Sequence, residues 1–237
     1  LLCLVGGLTR AALTPVVRYQ LQFQLANGQT NVTLAEIINS KERYQGAILE
    51  LIGTFPPLLT SLLFGGICSK IVSKVPQQYL LDQSLSDLPV VYFSLLLNQP
   101  IVSMHQLQAT MNRETGIIET WDALNRKPAF LLQGLLAGIL YETLVRVFSY
   151  FIRKFTPLPT ESIPFLVSSW LLYPLLTIRC HQMESGMFSD SQSMIQSASS
   201  IYGVGGIRGF WSGSVARTCN QVVSLLLLSG MRKIFVR

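Results

Sequence analysis

"LTPVVRYQLQFQ", residues 13–24, sets a proline inside an apolar segment and follows it with one arginine and three glutamines, with no acid in reach. A proline inside a helix removes a backbone N–H and crowds the preceding turn, so it kinks the helix and leaves a carbonyl without its donor. In a bilayer such a kink survives only where neighbouring groups supply that donor. The stretch therefore predicts a kinked helix whose freed carbonyl is satisfied by its neighbours.

Two echoes follow: "NQPIVSMHQLQ" at 98–108 and "LYPLLTIRCHQ" at 172–182. In each a proline falls late in an apolar segment and a tail of Gln, His or Arg comes after it. Pro15, Pro100 and Pro174 are thus equivalent points of a unit used three times. Downstream of each lies a polar segment such as "TLAEIINSKERYQ" or "DSQSMIQSASSIYG", and then a glycine that opens the next apolar run: Gly53, Gly134 and Gly213. The intervening segments read as short amphipathic helices at the membrane surface.

Composition agrees with a membrane setting. Of 237 residues 49% are hydrophobic and only 13% charged, and the mean hydropathy is +0.42, too apolar for an ordinary soluble domain of this size. Apolar stretches near residues 1–23, 47–72, 89–110, 129–152, 163–180 and 214–231 predict six spans. The net charge of +6 suits anionic headgroups and not nucleic acid, because no basic run with interleaved aromatics occurs. Cys3, Cys68, Cys180 and Cys219 are isolated, which argues against a metal site. The absence of GxSxG, HExxH or P-loop patterns argues against an enzyme.

Three prolines late in odd spans, three surface helices and three glycines before even spans resemble the mitochondrial carrier family, with "GFWSG" at 209–213 close to its glycine–aromatic–basic–glycine turn and "FLLQG" and "LELIG" weaker matches. The resemblance implies an all-α membrane protein of six helices in one pseudo-threefold domain over 1–237, with repeats near 1–78, 79–157 and 158–237. It also implies the mitochondrial inner membrane, and cardiolipin as bound lipid at the even-helix entries, Gly53, Gly134, Trp211 and Gly213, with no other cofactor.

In that family each odd helix ends Px[DE]xx[KR]x[KR]xQ, and the acids and bases pair between repeats to form a gate. Here the acid positions are Val17, Val102 and Leu176, and the first basic positions are Gln20, His105 and Arg179. At the far ends of the even helices the family's acid positions fall near Ser73, Lys154 and Arg232, which are not acids. The places that would meet a solute, about seven residues into each even span, hold Thr60, Tyr141 with Glu142, and Asn220, so a bound anion would meet little positive charge. Glu142 is placed to pair with Arg146 one turn on. Arg18 is read as snorkelling towards the interface, and Arg10 as deep enough to need a partner. His105 and His181 read as hydrogen-bonded residues near helix ends.

The resulting expectation is a carrier fold that has lost transport and serves as an accessory subunit of a larger membrane complex, such as a respiratory complex, in contact with lipid and other subunits. The alternative is a working carrier for a neutral, cationic or apolar solute.

Overall fold

The computed structural model describes residues 2–26, 32–41, 43–72, 87–110, 116–126, 132–156, 162–188 and 192–235. These are helical, with no strand among them: α1 (Leu2–Ala12), α2 (Thr14–Leu25), α3 (Leu34–Asn39), α4 (Ala47–Ile52), α5 (Phe55–Val72), α6 (Leu88–Thr110), α7 (Ile117–Asn125), α8 (Leu135–Phe155), α9 (Ser162–Leu171), α10 (Tyr173–Phe188), α11 (Met194–Gly209) and α12 (Ser214–Phe235). The repeat boundaries expected near 78 and 157 lie outside the described residues.

The prolines do what their chemistry dictates. Pro15 sits at the second residue of α2, just after the chain breaks at Leu13. Pro174 begins α10 after a break at Leu172, and the two halves there are bent by 54°. Pro100 lies inside α6, which runs through it. Each proline frees the carbonyl four residues before it. For Pro15 that is Ala11, and the Thr14 hydroxyl donates to it at 2.7 Å. For Pro174 it is Trp170, which accepts from the Trp211 indole Nε1 at 3.3 Å.

The long elements pack as a closed ring in chain order: α1 on α4, α5 on α6, α6 on α8, α8 on α9 and α10, α9 on α12, and α12 back on α1 and α2. Inside it, the halves after or around the prolines, α2, α6 and α10, also touch one another pairwise. Each short helix lies on the polar tail before it, α3 on α2, α7 on α6 and α11 on α10. Local sequence starts two of them. Thr33 with Glu36 and Ser193 with Gln196 form reciprocal caps that satisfy the first backbone N–H groups of α3 and α11.

Among the described residues, two helices are long and apolar enough to cross a membrane, Ala47–Ile67 taken across the Gly53–Thr54 break and Leu135–Phe155, and the bent pair Ile163–Leu171 with Tyr173–Gly186 passes as a third. The six spans expected from the sequence are therefore met in part. The glutamines of α2, the run from Asn98 to Gln108 in α6, and Arg217, Asn220 and Gln221 in α12 dilute those helices with polar side chains.

Glycines fix the approach of the helices. Gly46, Gly134 and Gly213 have φ of 89°, 72° and 81°, and each immediately precedes an apolar helix. A Cβ on Gly46 would lie 2.6 Å from Cδ2 of His105, on Gly134 2.9 Å from Cγ of Arg179, and on Gly213 2.9 Å from the Gln20 carbonyl oxygen. Gln20, His105 and Arg179 each stand five residues after a proline, so one contact recurs around the ring. Left-handed backbone and contact at this distance both exclude a side chain.

Gly46→Ala, Gly134→Ala and Gly213→Ala are each expected to destabilise the fold by about 2 kcal/mol through strain and overpacking. Gly66→Ala, in α5 with no atom within 4 Å of its added Cβ, is expected to be neutral or slightly stabilising. Reversible unfolding in mixed micelles measures all four.

Candidate functional site

The polar tails that opened the sequence converge where α2, α6 and α10 meet. Gln24 Nε2 donates to Thr177 Oγ1 at 3.5 Å, and its side-chain oxygen accepts from Cys180 Sγ at 3.5 Å. His181 Nε2 donates to the Gln24 carbonyl at 3.2 Å. Gln106 Nε2 donates to the Cys180 carbonyl at 2.7 Å, which ties α6 to α10. These groups are buried or half-buried, and a buried amide left without its partner costs about 1–3 kcal/mol.

A second set of bonds holds the turns that lead into α8 and α12. Gln99 and Tyr173, each the residue before a proline, bond the residue before the following left-handed glycine. Gln99 Nε2 donates to the Gln133 carbonyl at 2.8 Å, and the Tyr173 hydroxyl donates to the Ser212 carbonyl at 3.0 Å. Thr177 adds a bond to the Phe210 carbonyl at 2.8 Å. At Pro15 the preceding residue is Thr14, whose short side chain serves Ala11 instead.

Among the described residues, two groups of charged side chains lie between the central helices, apart from the His181–Glu184 pair within α10 at 3.8 Å. His105 Nε2 lies 3.5 Å from Glu50 Oε1, between α6 and α4, with Arg18 in electrostatic reach of the histidine. Arg18 is 3% exposed, so it does not snorkel to the interface as its position near a helix end suggested. Arg10, expected to need a partner, lies exposed on the surface of the helix bundle. The other place lies between α8, α10 and α12. Arg179 Nη2 donates to Gln99 Oε1 at 2.7 Å, and its guanidinium packs on Gly138. Arg217 Cζ lies 5.8 Å from the centre of the Tyr141 ring, a cation–π distance. Glu142 is in electrostatic reach of both arginines. The Tyr141 hydroxyl and Ser169 Oγ are 2.6 Å apart, and Gln221 Nε2 donates to the same Ser169 oxygen at 3.1 Å.

The positions singled out in the sequence fall as follows. Val102 packs against the cluster of Leu49, Met104, Leu107, Leu124 and Met183, and Leu176 is buried with Tyr141, Val145 and Tyr173. Two of these three positions are thus built into apolar packing. Val17 is half-buried. Thr60 is fully buried and its hydroxyl serves the Pro56 and Pro57 carbonyls at 2.9 and 3.0 Å, so it offers nothing to a solute. Asn220 Oδ1 accepts from Ser224 at 3.5 Å.

Gly53 corrects the register of the first helix entry. It ends α4 with φ −61°, in right-handed backbone, whereas the left-handed glycine at the helix entry is Gly46. The place seven residues into this even span is consequently Gly53 itself. The signal that identifies Gly46 is in the sequence: "YQG" at 44–46 has an aromatic two residues before its glycine, as "WSG" does at 211–213. What sequence reasoning missed is Arg217 and Ser169, which carry no motif and are brought to Tyr141 only by the ring. Among the described residues no three His, Cys, Asp or Glu side chains converge as a metal site.

No protein-family model matches the chain, and no curated protein matches it either.

Leu176→Asp is expected to destabilise the protein by about 3 kcal/mol or more, because the carboxylate enters an apolar cluster. Val17→Asp, at a half-buried site, is expected to cost less. Trp211→Phe removes the donor to Trp170 and is expected to cost about 1 kcal/mol. Micelle unfolding of the three variants tests this ordering.

Proposed function

We propose that this chain is a degenerate mitochondrial carrier of the inner membrane that has lost transport and acts as a structural accessory subunit of a larger membrane complex. The observation that carries the reading is the replacement of all three gate acids by Val17, Val102 and Leu176, with neutral hydrogen bonds in their stead. The carrier likeness draws support from the closed ring in chain order, the three central tails and the recurring glycine contact.

Alternating access needs two states whose difference in energy a substrate can offset. Buried ion pairs suit that, because their geometry decides between a large gain and a large penalty. The tails here bond instead to main-chain and side-chain acceptors of neighbouring helices, through Gln24, Gln106, Thr177 and His181. Opening them strands several buried polar groups at about 1–3 kcal/mol each, and a solute offers no equivalent in return. The same bonds favour one rigid shape, which is what a scaffold presents to partners.

Two measurements test the reading. After gentle solubilisation the protein is expected to migrate inside a large assembly on native gels, and purified protein in liposomes is expected to exchange nucleotides, phosphate, carboxylates, amino acids and polyamines no faster than empty vesicles. Saturable exchange of any of these, with migration as a lone monomer, would overturn it in favour of a working carrier.

A further inference from the structure

The three short helices that lie on the polar tails do not present the same outer face. α11 carries no charged side chain from Met194 to Ile207, and in α3 the acid of the first turn, Glu36, closes the reciprocal cap with Thr33. α7 is different. It starts on Gly116, which has no side chain to form such a cap with Glu119. Thr120 and Leu124, one turn apart, make its buried side, and Leu124 enters the apolar cluster around Met104. On the outward side Ile118 is 77% exposed and Trp121 44%, and Glu119 and Asp122 are exposed beside them. Ile118 stands three residues from Trp121 and four from Asp122, and Asp122 three from Glu119, so the four side chains adjoin on the helix surface.

The charge on this face decides what it fits. A helix built to lie on an anionic bilayer carries Lys and Arg along its polar side, where they meet the headgroups. The polar side of α7 is acidic instead, and its arginine, Arg126, stands at the C-cap. Carboxylates there repel an anionic surface and attract a cationic one. An indole beside an aliphatic side chain, rimmed by charge, also has the composition of a protein-binding centre, in which aromatic anchors supply most of the hold and the rim sets orientation and partner choice.

We propose that the outward face of α7 is the docking site for a basic amphipathic segment of a partner subunit, with apolar side chains seated on Ile118 and Trp121 and Lys or Arg paired with Glu119 and Asp122. The inference rests on the accessory-subunit reading and deepens it, by naming the surface that meets the partner and the chemistry the partner presents. The two sides of α7 divide the work: Thr120 and Leu124 fasten the helix to its own chain, and the acids and their apolar neighbours face another.

The test places the photo-crosslinking residue p-benzoylphenylalanine at position 118 of the full chain in its own membrane. Illumination is expected to give one discrete protein adduct, whose crosslinked peptide carries Lys or Arg. Glu119→Lys with Asp122→Lys is expected to lower the adduct yield about fivefold or more, and Glu119→Gln with Asp122→Gln about twofold, since exposed pairs are weak singly and like charges repel. Trp121→Ala, without the crosslinker, is expected to lower the share of protein in the large assembly on native gels about fivefold. Circular dichroism of the purified variants confirms folding, and the glutamine pair serves if the lysine pair does not fold. Adducts with lipid alone overturn the proposal, as does a crosslinked peptide without Lys or Arg. Folded lysine variants that crosslink and assemble like wild type also overturn it, and they leave the accessory-subunit reading standing. A wild type that migrates alone and gives no protein adduct overturns both. The expected adduct on a protein that also exchanges solute would instead sink the accessory-subunit reading and leave the docking site in place.

Discussion

A bilayer offers no donor to a bare carbonyl, and the rest of this structure follows from how its chain meets that condition. Prolines at 15 and 174 break helices and free the carbonyls of Ala11 and Trp170, which Thr14 and Trp211 then satisfy. The turns into α8 and α12 expose the carbonyls of Gln133, Phe210 and Ser212, and Gln99, Thr177 and Tyr173 reach them from α6 and α10. The glutamines, threonines and tyrosine of the polar tails are the donors a bent bundle needs where no water reaches. Their lack of charge makes them suited to this task, because a neutral donor avoids most of the desolvation that burying an ion costs.

That same choice limits what the bundle can do. An ion pair can exchange partners when an ion arrives, whereas an amide bonded to a main-chain carbonyl has no competitor of equal strength in the solute. The side chains at Val102 and Leu176 go further and commit two positions of the polar tails to apolar packing. Arg18, Arg179, Arg217, Glu50 and Glu142 sit asymmetrically: two seams carry ions, and the seam where Gly213 meets Gln20 is closed by backbone contact.

Much of this was written in the sequence. The prolines, their polar tails and the short helices between them could be read directly, since proline geometry and helical periodicity are local properties. The even-helix entries at Gly134 and Gly213 were legible for the same reason. Gly46 was not, because "LIG" at 51–53 lies at the edge of the more apolar run and drew the register forward by two turns. Arg18 misled in another way: its place near a helix end suggested exposure, and only the packing of α2 against α6 buries it. Thr60 looked like a solute contact until its hydroxyl was found on Pro56 and Pro57. The Tyr141, Ser169, Gln221 and Arg217 cluster joins four distant stretches, and no local pattern could have announced it.

The recurring glycine contact also dictates an order of events during synthesis. Two of the seams join neighbouring thirds of the chain, but the last joins Gly213 to Gln20, nearly opposite ends of the sequence. Contacts of such long separation form late and slowly. Until α12 has been made and inserted, the ring is a crescent with an open side, and α2 shows Gln20 to whatever borders that gap. Chains cut short before α12 would therefore be unclosed shells with polar groups turned to lipid, the kind of intermediate that membrane quality control removes.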